Sequence, residues 1–452
     1  MRTEPLKKEN LHRIVIAWVN VCRFLLAITF IASGFIKAND PYGTAYKIQD
    51  YLEAWGMMDM FPSVLTYIGA MTMGIIEFAL GLYLFFGIHR RIIPTVMLIV
   101  MSFFTPLTLW LAIDNPISDC GCFGDALVLS NWETFFKNLA LLIAAISIFK
   151  WRKVHLYKIV SSKVDWLVSL YSILFIICYS IYTIRYLPVF DFRPYHIGAD
   201  IAKGMTIPEG EKMTTYETTF IYEKDGKQQE FTIDNCPTDS TWTFIDANTR
   251  VKEKGYEPPI HDFAITSVTD GEDLTESVLN DDRYTFLLVS THLAEADDSN
   301  MDLINEIYDY CIEHKYNFLC VTASPDKDID SWTENTGAEY PFALMDDITL
   351  KTMVRSNPGL ILLKKGVVIN KWSVNRLPDE YQLNKPLDKL LIGQLNPKTL
   401  PHKILMVAGW FFGPLAVFIL CDLIWISWKR RRSKKEDKRM KRKNNFNRNI
   451  NL

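Results

Sequence analysis

The sequence lacks the motifs of several common enzyme classes. Its 452 residues contain no phosphate-binding glycine loop and no Ser/His/Asp constellation of the hydrolase type. The eight histidines and eight cysteines show none of the short spacings typical of metal sites. Nucleotide hydrolysis and proteolysis are therefore poor candidates, and no metal site is expected.

Long apolar runs, by contrast, occur at both ends of the chain. Crossing a bilayer takes about 18 or more consecutive apolar residues with few charges. Six segments qualify, of which the fourth is the shortest: about 14–37, 63–88, 92–113, 133–149, 164–184 and 404–428. We expect residues 1–186 to form a helical membrane bundle and residues 401–428 to form a last transmembrane helix.

The basic residues are distributed as six spans would require. Residues 429–452 carry a net charge of +10, although the whole chain carries −3. Other basic segments precede the first span, separate spans two and three, and separate spans four and five. Because Lys and Arg accumulate on the cytoplasmic side, both termini are predicted to be cytoplasmic in a bacterial inner membrane, with residues 187–400 in the periplasm. A cleaved signal peptide over residues 1–37 is the alternative for the first span.

The basic tail, residues 429–452, is predicted to be disordered. Its charge favours a topology signal with affinity for anionic lipid, and not a nucleic-acid-binding role.

Two cysteines lie one residue apart between spans three and four, in the run Asp119-Cys-Gly-Cys-Phe-Gly124. A disulfide between Cys120 and Cys122 would close a small, strained ring, and strained exposed disulfides are labile and oxidising. Lys37 and Lys137 are expected to lie near the pair and to stabilise a thiolate. A static disulfide and two idle thiols are the alternatives.

Two charged residues lie inside predicted spans, where ionisable groups are functional candidates. Arg23 is about nine residues from the cytoplasmic end of span one, and Glu77 is about eleven residues from that end of span two. With a rise of about 1.5 Å per residue, the two side chains should lie at similar depth. We predict that they pair, either as a structural salt bridge or in proton or quinone handling.

The long connection, residues 187–400, is water-soluble in composition. Its first part, 187–255, is β-rich, with a predicted hairpin around Asp225-Gly226. Its second part, 256–400, alternates strand and helix in the order β-α-β-α-β-β, which is typical of a thioredoxin-like domain. The segments behind this prediction are 284–290, 302–314, 317–322, 329–335, 359–363 and 367–372.

Several motifs of the membrane part resemble those of DoxX-like membrane proteins, and among these the methylamine-utilisation MauE branch most of all. They are Arg23, Gly34-Phe-Ile-Lys37, Asp40-Pro41, Glu77-Phe-Ala-Leu-Gly81, Cys120-Gly-Cys-Phe-Gly124 and Lys137-Asn138. The resemblance covers about residues 14–150 and implies a four-helix membrane bundle. It also implies that Cys120 and Cys122 are the redox pair, that Arg23 and Glu77 are the intramembrane polar pair, and that quinone-linked chemistry or disulfide formation in exported proteins is the activity.

The soluble part resembles a periplasmic thioredoxin-like domain of the TlpA type, through Pro259-Ile-His-Asp-Phe263 and Asp270-Gly271. The resemblance implies a cis peptide bond at Asn357–Pro358, just before a strand. The family's Cys-X-X-Cys motif is missing, however, because residues 290–297 contain no cysteine. Thiol chemistry is excluded there, and the domain is expected to bind and not to catalyse.

Two functions fit this sequence. One is a membrane thiol-disulfide redox protein that acts on an exported or envelope partner through Cys120 and Cys122, with electrons passing to a quinone or another membrane carrier. The other is a non-enzymatic scaffold that holds an envelope assembly together. The first requires the cysteine pair to change its redox state, whereas the second does not.

Overall fold

The computed structural model describes residues 3–117, 119–152, 160–212, 214–224, 227–232, 235–237, 242–253, 255–395 and 399–450. The chain divides into two compact units. One comprises residues 1–192 and 396–452, and the other comprises residues 193–395.

The first unit begins with six helices: α1 (Thr3–Asn39), α2 (Pro41–Ala54), α3 (Ser63–Phe86), α4 (Ile93–Asp114), α5 (Asn131–Trp151) and α6 (Asp165–Arg185). All except α2 are long and apolar enough to cross a membrane. The short helix α2 follows α1 directly: the Asp40 carboxylate caps its N-terminus by accepting from the Gly43 amide at 3.0 Å. The sequence patterns had not predicted α2.

Four helices form the core of this unit, as expected: α1, α3, α4 and α5. Their shared interior contains Val19, Leu26, Leu84, Met97 and Leu141. Glycines allow α1 and α3 to approach closely, since a Cβ on Gly34 would lie 2.7 Å from the Gly74 carbonyl oxygen. Helix α6 packs on the outside through a second cluster that includes Phe78 and Ile176.

The second unit contains a small antiparallel sheet and a larger mixed sheet. The small sheet has the order β2-β1-β3, with β1 (Thr215–Lys224), β2 (Lys227–Thr232) and β3 (Thr243–Glu253). Strands β1 and β2 form the predicted hairpin, with Lys224 paired to Lys227. The predicted turn residues, Asp225 and Gly226, lie outside the described residues.

The larger sheet has the order β4-β7-β6-β5-β8-β9, in which β5, β6 and β7 run parallel to one another, β8 pairs antiparallel with β5, and β9 pairs antiparallel with β8. This is the topology of a thioredoxin-like fold. Its strands are β4 (Thr266–Ser267), β5 (Tyr284–Ser290), β6 (Asn317–Thr322), β7 (Phe342–Leu344), β8 (Gly359–Lys364) and β9 (Val367–Ser373). Its helices are α7 (Ile201–Met205), α8 (Thr275–Asn280), α9 (Met301–His314), α10 (Asp326–Thr336) and α11 (Asp347–Met353).

The central strands β5 and β6, both predicted from the sequence, lie in the interior of this fold. Every residue of β5 is buried, and so are five of the six residues of β6. Phe286 and Leu288 pack with Ile304 and Ile307 of α9 and with Leu362 of β8. Continuous apolar runs of six or seven residues are typical of such doubly covered strands.

The last helix, α12 (Thr399–Ile450), contains the sixth candidate span. The prediction of a disordered basic tail is wrong, because the helix continues through residues 429–450. Lys, Arg and Glu are good helix formers. The transmembrane helix has already overcome the cost of nucleation, so the tail only has to propagate it. The six candidate spans establish a membrane protein with an attached α/β domain.

Candidate functional site

Cys120 and Cys122 lie in the loop between α4 and α5, and both are free, half-buried thiols. Their Sγ atoms are 3.0 Å apart. This distance is roughly 1 Å longer than a disulfide bond. A small adjustment of the loop would therefore join the two sulfurs.

The loop backbone needs glycine to bring the sulfurs together. Gly121 has φ +67° and Gly124 has φ +47°, a region that L-residues adopt only at a cost. The amide of Gly124 donates to the Gly121 carbonyl at 3.1 Å, which closes a tight turn around Cys122. The Gly121 amide donates to Asp119 Oδ1 at 2.8 Å, which fixes the start of the turn.

A buried ion pair contacts the loop from the bundle side. Lys37 Nζ lies 2.7 Å from Glu77 Oε2, and the two side chains are 5% and 11% exposed. The same ammonium donates to Ser33 Oγ at 2.7 Å and to the Cys122 carbonyl at 3.1 Å. Ser33 Oγ also lies 2.7 Å from that carbonyl and 2.8 Å from Glu77 Oε2. Lys37 thus has three oxygen partners, one of which belongs to the cysteine loop.

Helix α2 holds the loop from a second direction. Lys47 Nζ lies 2.9 Å from Asp119 Oδ2, and Tyr51 donates to the Cys120 carbonyl at 3.2 Å. The aliphatic part of Lys47 occupies the space beside Gly121, where a Cβ would lie 2.9 Å from Lys47 Cγ. Burial opposes the charge on Lys47, but the Asp119 carboxylate prevails and raises the pKa of the ammonium. The cysteine loop is therefore attached on two sides.

The surroundings favour one thiolate over the other. The hydrogen bond from Cys120 lowers the pKa of Cys122 to about 6, and the positive charges of Lys137 and Lys37 act in the same direction, whereas burial and the Glu77 carboxylate oppose the shift. The hydrogen bond to Cys122 and burial raise the pKa of Cys120. Lys137 Nζ lies 4.5 Å from the centre of the Phe123 ring, beside the pair. Both predicted lysines thus lie near the sulfurs.

A cavity of about 230 Å³ adjoins the pair inside the bundle. Cys120, Cys122, Lys37, Glu77 and Lys137 line its polar part. Most of the remaining wall is apolar and aromatic, with contributions from Phe30, Trp55, Met101, Phe104 and Leu141. The sulfurs therefore adjoin a space that suits a flat, apolar group.

The predicted pairing of Arg23 with Glu77 is wrong. Arg23 Nε donates to the Leu84 carbonyl at 2.8 Å, and its Nη2 donates to the Phe85 carbonyl. Glu77 lies seven residues before Leu84 on α3, or about 10 Å along the axis. The prediction assumed that the N-terminus of α1 and the C-terminus of α3 lie at the same membrane depth, whereas α1 continues beyond the C-terminus of α3. Lys37 is the actual partner of Glu77.

The loop that replaces a Cys-X-X-Cys motif in the second unit is closed by hydrogen bonds. Ser290 Oγ donates to Asn357 Oδ1 at 2.7 Å, and Asn357 Nδ2 donates to the His292 carbonyl at 3.0 Å. The Asp297 amide donates to the Asn357 carbonyl at 3.0 Å. The Asn357–Pro358 peptide bond is cis, as predicted. His292 is a half-exposed loop residue 3.6 Å from Asp347.

The cysteines of this fold are core residues. Cys311 and Cys320 are buried, and burial raises the pKa of both thiols. Neither is a reactive thiol. Within the described part of the chain, no group of three or more His, Cys, Asp or Glu side chains could hold a metal ion.

Four residues of the site were missed by sequence reasoning: Ser33, Lys47, Tyr51 and Asp119 in its role as a lysine partner. Lys47 and Tyr51 belong to α2, some seventy residues before the loop that they hold. The signal that could have found them is the Asp40-Pro41 pair, a cap and first-turn proline that predict a helix start. Ser33 lies one turn before Lys37, so the helical repeat also places it on the same face.

Comparisons with known proteins separate the two parts of the chain. A family model described as "Methylamine utilisation protein MauE" matches residues 14–150, which run from within α1 to within α5 and include the cysteine loop. A second family model, a domain of unknown function named DUF8463, matches residues 216–254. No curated protein matches the chain with significance.

One solved structure is similar to part of the chain. It is described as the solution structure of a "putative protein disulfide isomerase" from Bacteroides thetaiotaomicron, with 17% sequence identity and a TM-score of 0.24. The similarity covers 31% of this chain and 91% of that one. The membrane part of the chain, residues 14–150, is thus similar to the MauE family.

Proposed function

We propose that this protein is a bacterial inner-membrane thiol-disulfide redox protein that exchanges disulfides with an exported or envelope protein through Cys120 and Cys122. One observation carries the proposal: the two sulfurs lie 3.0 Å apart, and the ammonium of Lys37 is held beside them by its hydrogen bond to the backbone carbonyl of Cys122. Idle thiols would need no cation at this position. A thiolate nucleophile or leaving group does need one.

The two sulfurs have different roles in this proposal. In the disulfide form, a thiolate of the partner attacks Cys120 Sγ, the bond between the two cysteines breaks, and Cys122 leaves with the electron pair. Cys122 is the better leaving group because its pKa is lowered to about 6. The second partner thiol loses its proton to solvent and attacks the partner sulfur of the mixed disulfide; the bond from that sulfur to Cys120 breaks, and Cys120 leaves with the electron pair and takes up a proton from solvent. The partner gains a disulfide, and the two cysteines become a dithiol.

The apolar cavity beside the cysteines favours a membrane-soluble electron acceptor, and we propose that this acceptor is a quinone. When bound, a quinone would supply a two-electron, two-proton acceptor. The dithiol gives up two electrons and two protons as the bond between Cys120 and Cys122 forms again. Lys37 and Glu77 line the same cavity and are the groups that can hold or pass protons there.

The orientation in this proposal follows from the charge pattern and the number of spans. Both termini are cytoplasmic, and the cysteine loop and the segment between the fifth and sixth spans face the exported side. The thioredoxin-like fold has no cysteine in residues 291–300. Its role in the proposal is therefore to bind the partner, while the chemistry takes place at the membrane.

A scaffold that does no redox chemistry is the second candidate. One observation favours it. Catalytic thioredoxin-like proteins carry their thiols in the loop after the first central strand, and here Asn357 ties that loop down through hydrogen bonds with Ser290 and His292. In a scaffold, Cys120 and Cys122 would keep one redox state throughout.

Labelling of thiols in intact cells tests the proposal. A maleimide mass tag counts free cysteines before and after a pulse of reductant, and we expect Cys120 and Cys122 to change state together. A Cys122→Ser variant should accumulate mixed disulfides through Cys120, whereas Cys178→Ser, within α6, should not. A pair that never changes state, with no mixed disulfides in Cys122→Ser, would leave the scaffold as the function.

A further inference from the structure

The small sheet β2-β1-β3 has two faces of opposite character. In an antiparallel sheet, directly paired residues point to the same face and neighbours along a strand point to opposite faces. Phe220 pairs with Phe231, and Tyr222 pairs with Phe244. These four aromatic residues therefore share one face, which we call the aromatic face.

Ring contacts extend the aromatic face. The Tyr222 ring lies 5.8 Å from Phe231 and 5.7 Å from Phe244, and Phe231 lies 5.0 Å from Trp242. Lys224, two residues beyond Tyr222, places its Nζ 5.7 Å from the Trp242 ring centre. Gln229, opposite Tyr222, and Ala247, opposite Phe220, complete the face.

The acidic residues lie on the other face. Ile221 pairs with Glu230 in β2 and with Asp246 in β3, and Glu223 follows two residues later in β1. Ile221 is the only large apolar residue among these. Phe220, Tyr222 and Lys224 of β1 therefore point to the face opposite to that of Glu223, Glu230 and Asp246.

The aromatic face is only partly buried. Phe244 is 52% exposed, and Phe220, Tyr222, Phe231 and Trp242 are half-buried. A three-stranded sheet with one apolar face needs a cover to be stable. Trp, Tyr and Phe together with Lys are the side chains that accumulate at the membrane–water interface, where rings lie at headgroup depth and lysine stems reach outward.

We propose that the aromatic face docks on the lipid headgroup region of the same bilayer that holds the helices. Anionic headgroups attract Lys224 and would repel Glu223, Glu230 and Asp246, which the sheet directs away from them. The sheet is tethered to the membrane because α6 ends at Arg185 and β1 begins at Thr215, thirty residues later. Tethering raises the effective concentration of the surface near the lipid, so that even weak interfacial affinity suffices.

Photocrosslinking of the full-length protein in bilayers tests this proposal. A p-benzoylphenylalanine at Phe231 reports on the aromatic face, and the same group at the adjacent Glu230 is the matched control on the opposite face. The bilayers contain alkyne-tagged phosphatidylcholine, alone or mixed with one third alkyne-tagged phosphatidylglycerol. We expect lipid adducts at position 231 and few at position 230.

A second variant tests the attraction between Lys224 and anionic headgroups. Lys224→Gln should weaken docking on the phosphatidylglycerol bilayers by about fivefold, as expected for one lysine near an anionic surface. It should leave adducts on pure phosphatidylcholine unchanged.

Equal lipid adducts at positions 230 and 231, or adducts at 231 with a protein and not with lipid, would overturn the proposal. Circular dichroism of each variant shows whether the chain has folded, and Phe244 is the replacement site if position 231 is not tolerated.

Discussion

Lys37 and Glu77 form a buried ion pair that touches the carbonyl of Cys122, with Nζ 2.7 Å from Oε2. The pair connects the interiors of α1 and α3 to the cysteine loop. A buried pair is costly to break, because removal of one partner leaves the other charge without compensation.

The Lys37→Met variant is therefore expected to lose stability by about 3–5 kcal/mol. The double variant Lys37→Met/Glu77→Gln removes both charges and should recover a large part of that loss. Thermal unfolding in detergent micelles measures both. Equal melting temperatures for Lys37→Met and the wild type would contradict the prediction.

The reactivity of Cys122 should depend on pH with an inflection near its lowered pKa of about 6. The thiolate is the reactive form, so alkylation by iodoacetamide stays fast above this pH and slows as the pH falls through it. In Cys120→Ala the principal stabilising hydrogen bond is lost, and the inflection should move upward, toward the ordinary thiol value of about 8.5. Mass spectrometry of the alkylated peptide gives the rates. A wild-type inflection near the ordinary value would refute this assignment.

Gly121 and Gly124 should respond differently to alanine. Both have positive φ, which costs an L-residue about 1–2 kcal/mol. Only Gly121 has a close neighbour as well: its Cβ would lie 2.9 Å from Lys47 Cγ, whereas a Cβ on Gly124 meets Ile36 at 3.6 Å. Gly121→Ala should therefore lower the melting temperature more than Gly124→Ala.

The added variant Gly121→Ala/Lys47→Ala serves as the control for this comparison. It removes the crowded side chain, so the steric part of the loss should disappear, although the contact with Asp119 is lost too. If Gly121→Ala and Gly124→Ala melt at the same temperature, Lys47 does not crowd the turn.

Asn357 should stabilise the closed loop of the thioredoxin-like fold without affecting the membrane cysteines. Asn357→Ala removes the acceptor of the Ser290 hydroxyl and one of two donors to the His292 carbonyl, which keeps the Glu295 amide, at a cost of about 1–3 kcal/mol. Hydrogen exchange of residues 291–300 should accelerate, while maleimide labelling of Cys120 and Cys122 stays unchanged. Asn335→Ala, on an exposed part of α10, is the matched control and should have little effect. Unchanged exchange in Asn357→Ala would show that packing alone closes the loop.

Sequence patterns predicted the elements whose side chains repeat regularly. Strand β5 was predicted at 284–290 and β6 at 317–322, which are the observed bounds, because both are buried on two faces and read as continuous apolar runs. The position of Lys37 near the cysteines was also predicted. Helix α2 was missed because only three of its residues are buried and its apolar pattern is weak.

Contacts between distant segments could not be predicted in the same way. Arg23 and Glu77 were matched by counting residues from the estimated ends of two spans, a procedure that fails when one helix is longer than its neighbour. The true register depends on close backbone contacts, such as that of Gly81 with Ala27 and Ile31. Such contacts depend on which glycines meet, and hydropathy does not report this.

The glycine contacts between α1 and α3 also limit where α1 can tolerate an inserted or deleted residue. Lys37 follows Gly34 by less than one helical turn, so one residue inserted between them would turn the ammonium by about 100° around the helix axis. The ammonium would then point away from Glu77 and from the cysteine loop. A point insertion in α1, far along the chain from Cys120, could thus abolish the redox site while leaving every one of its side chains present.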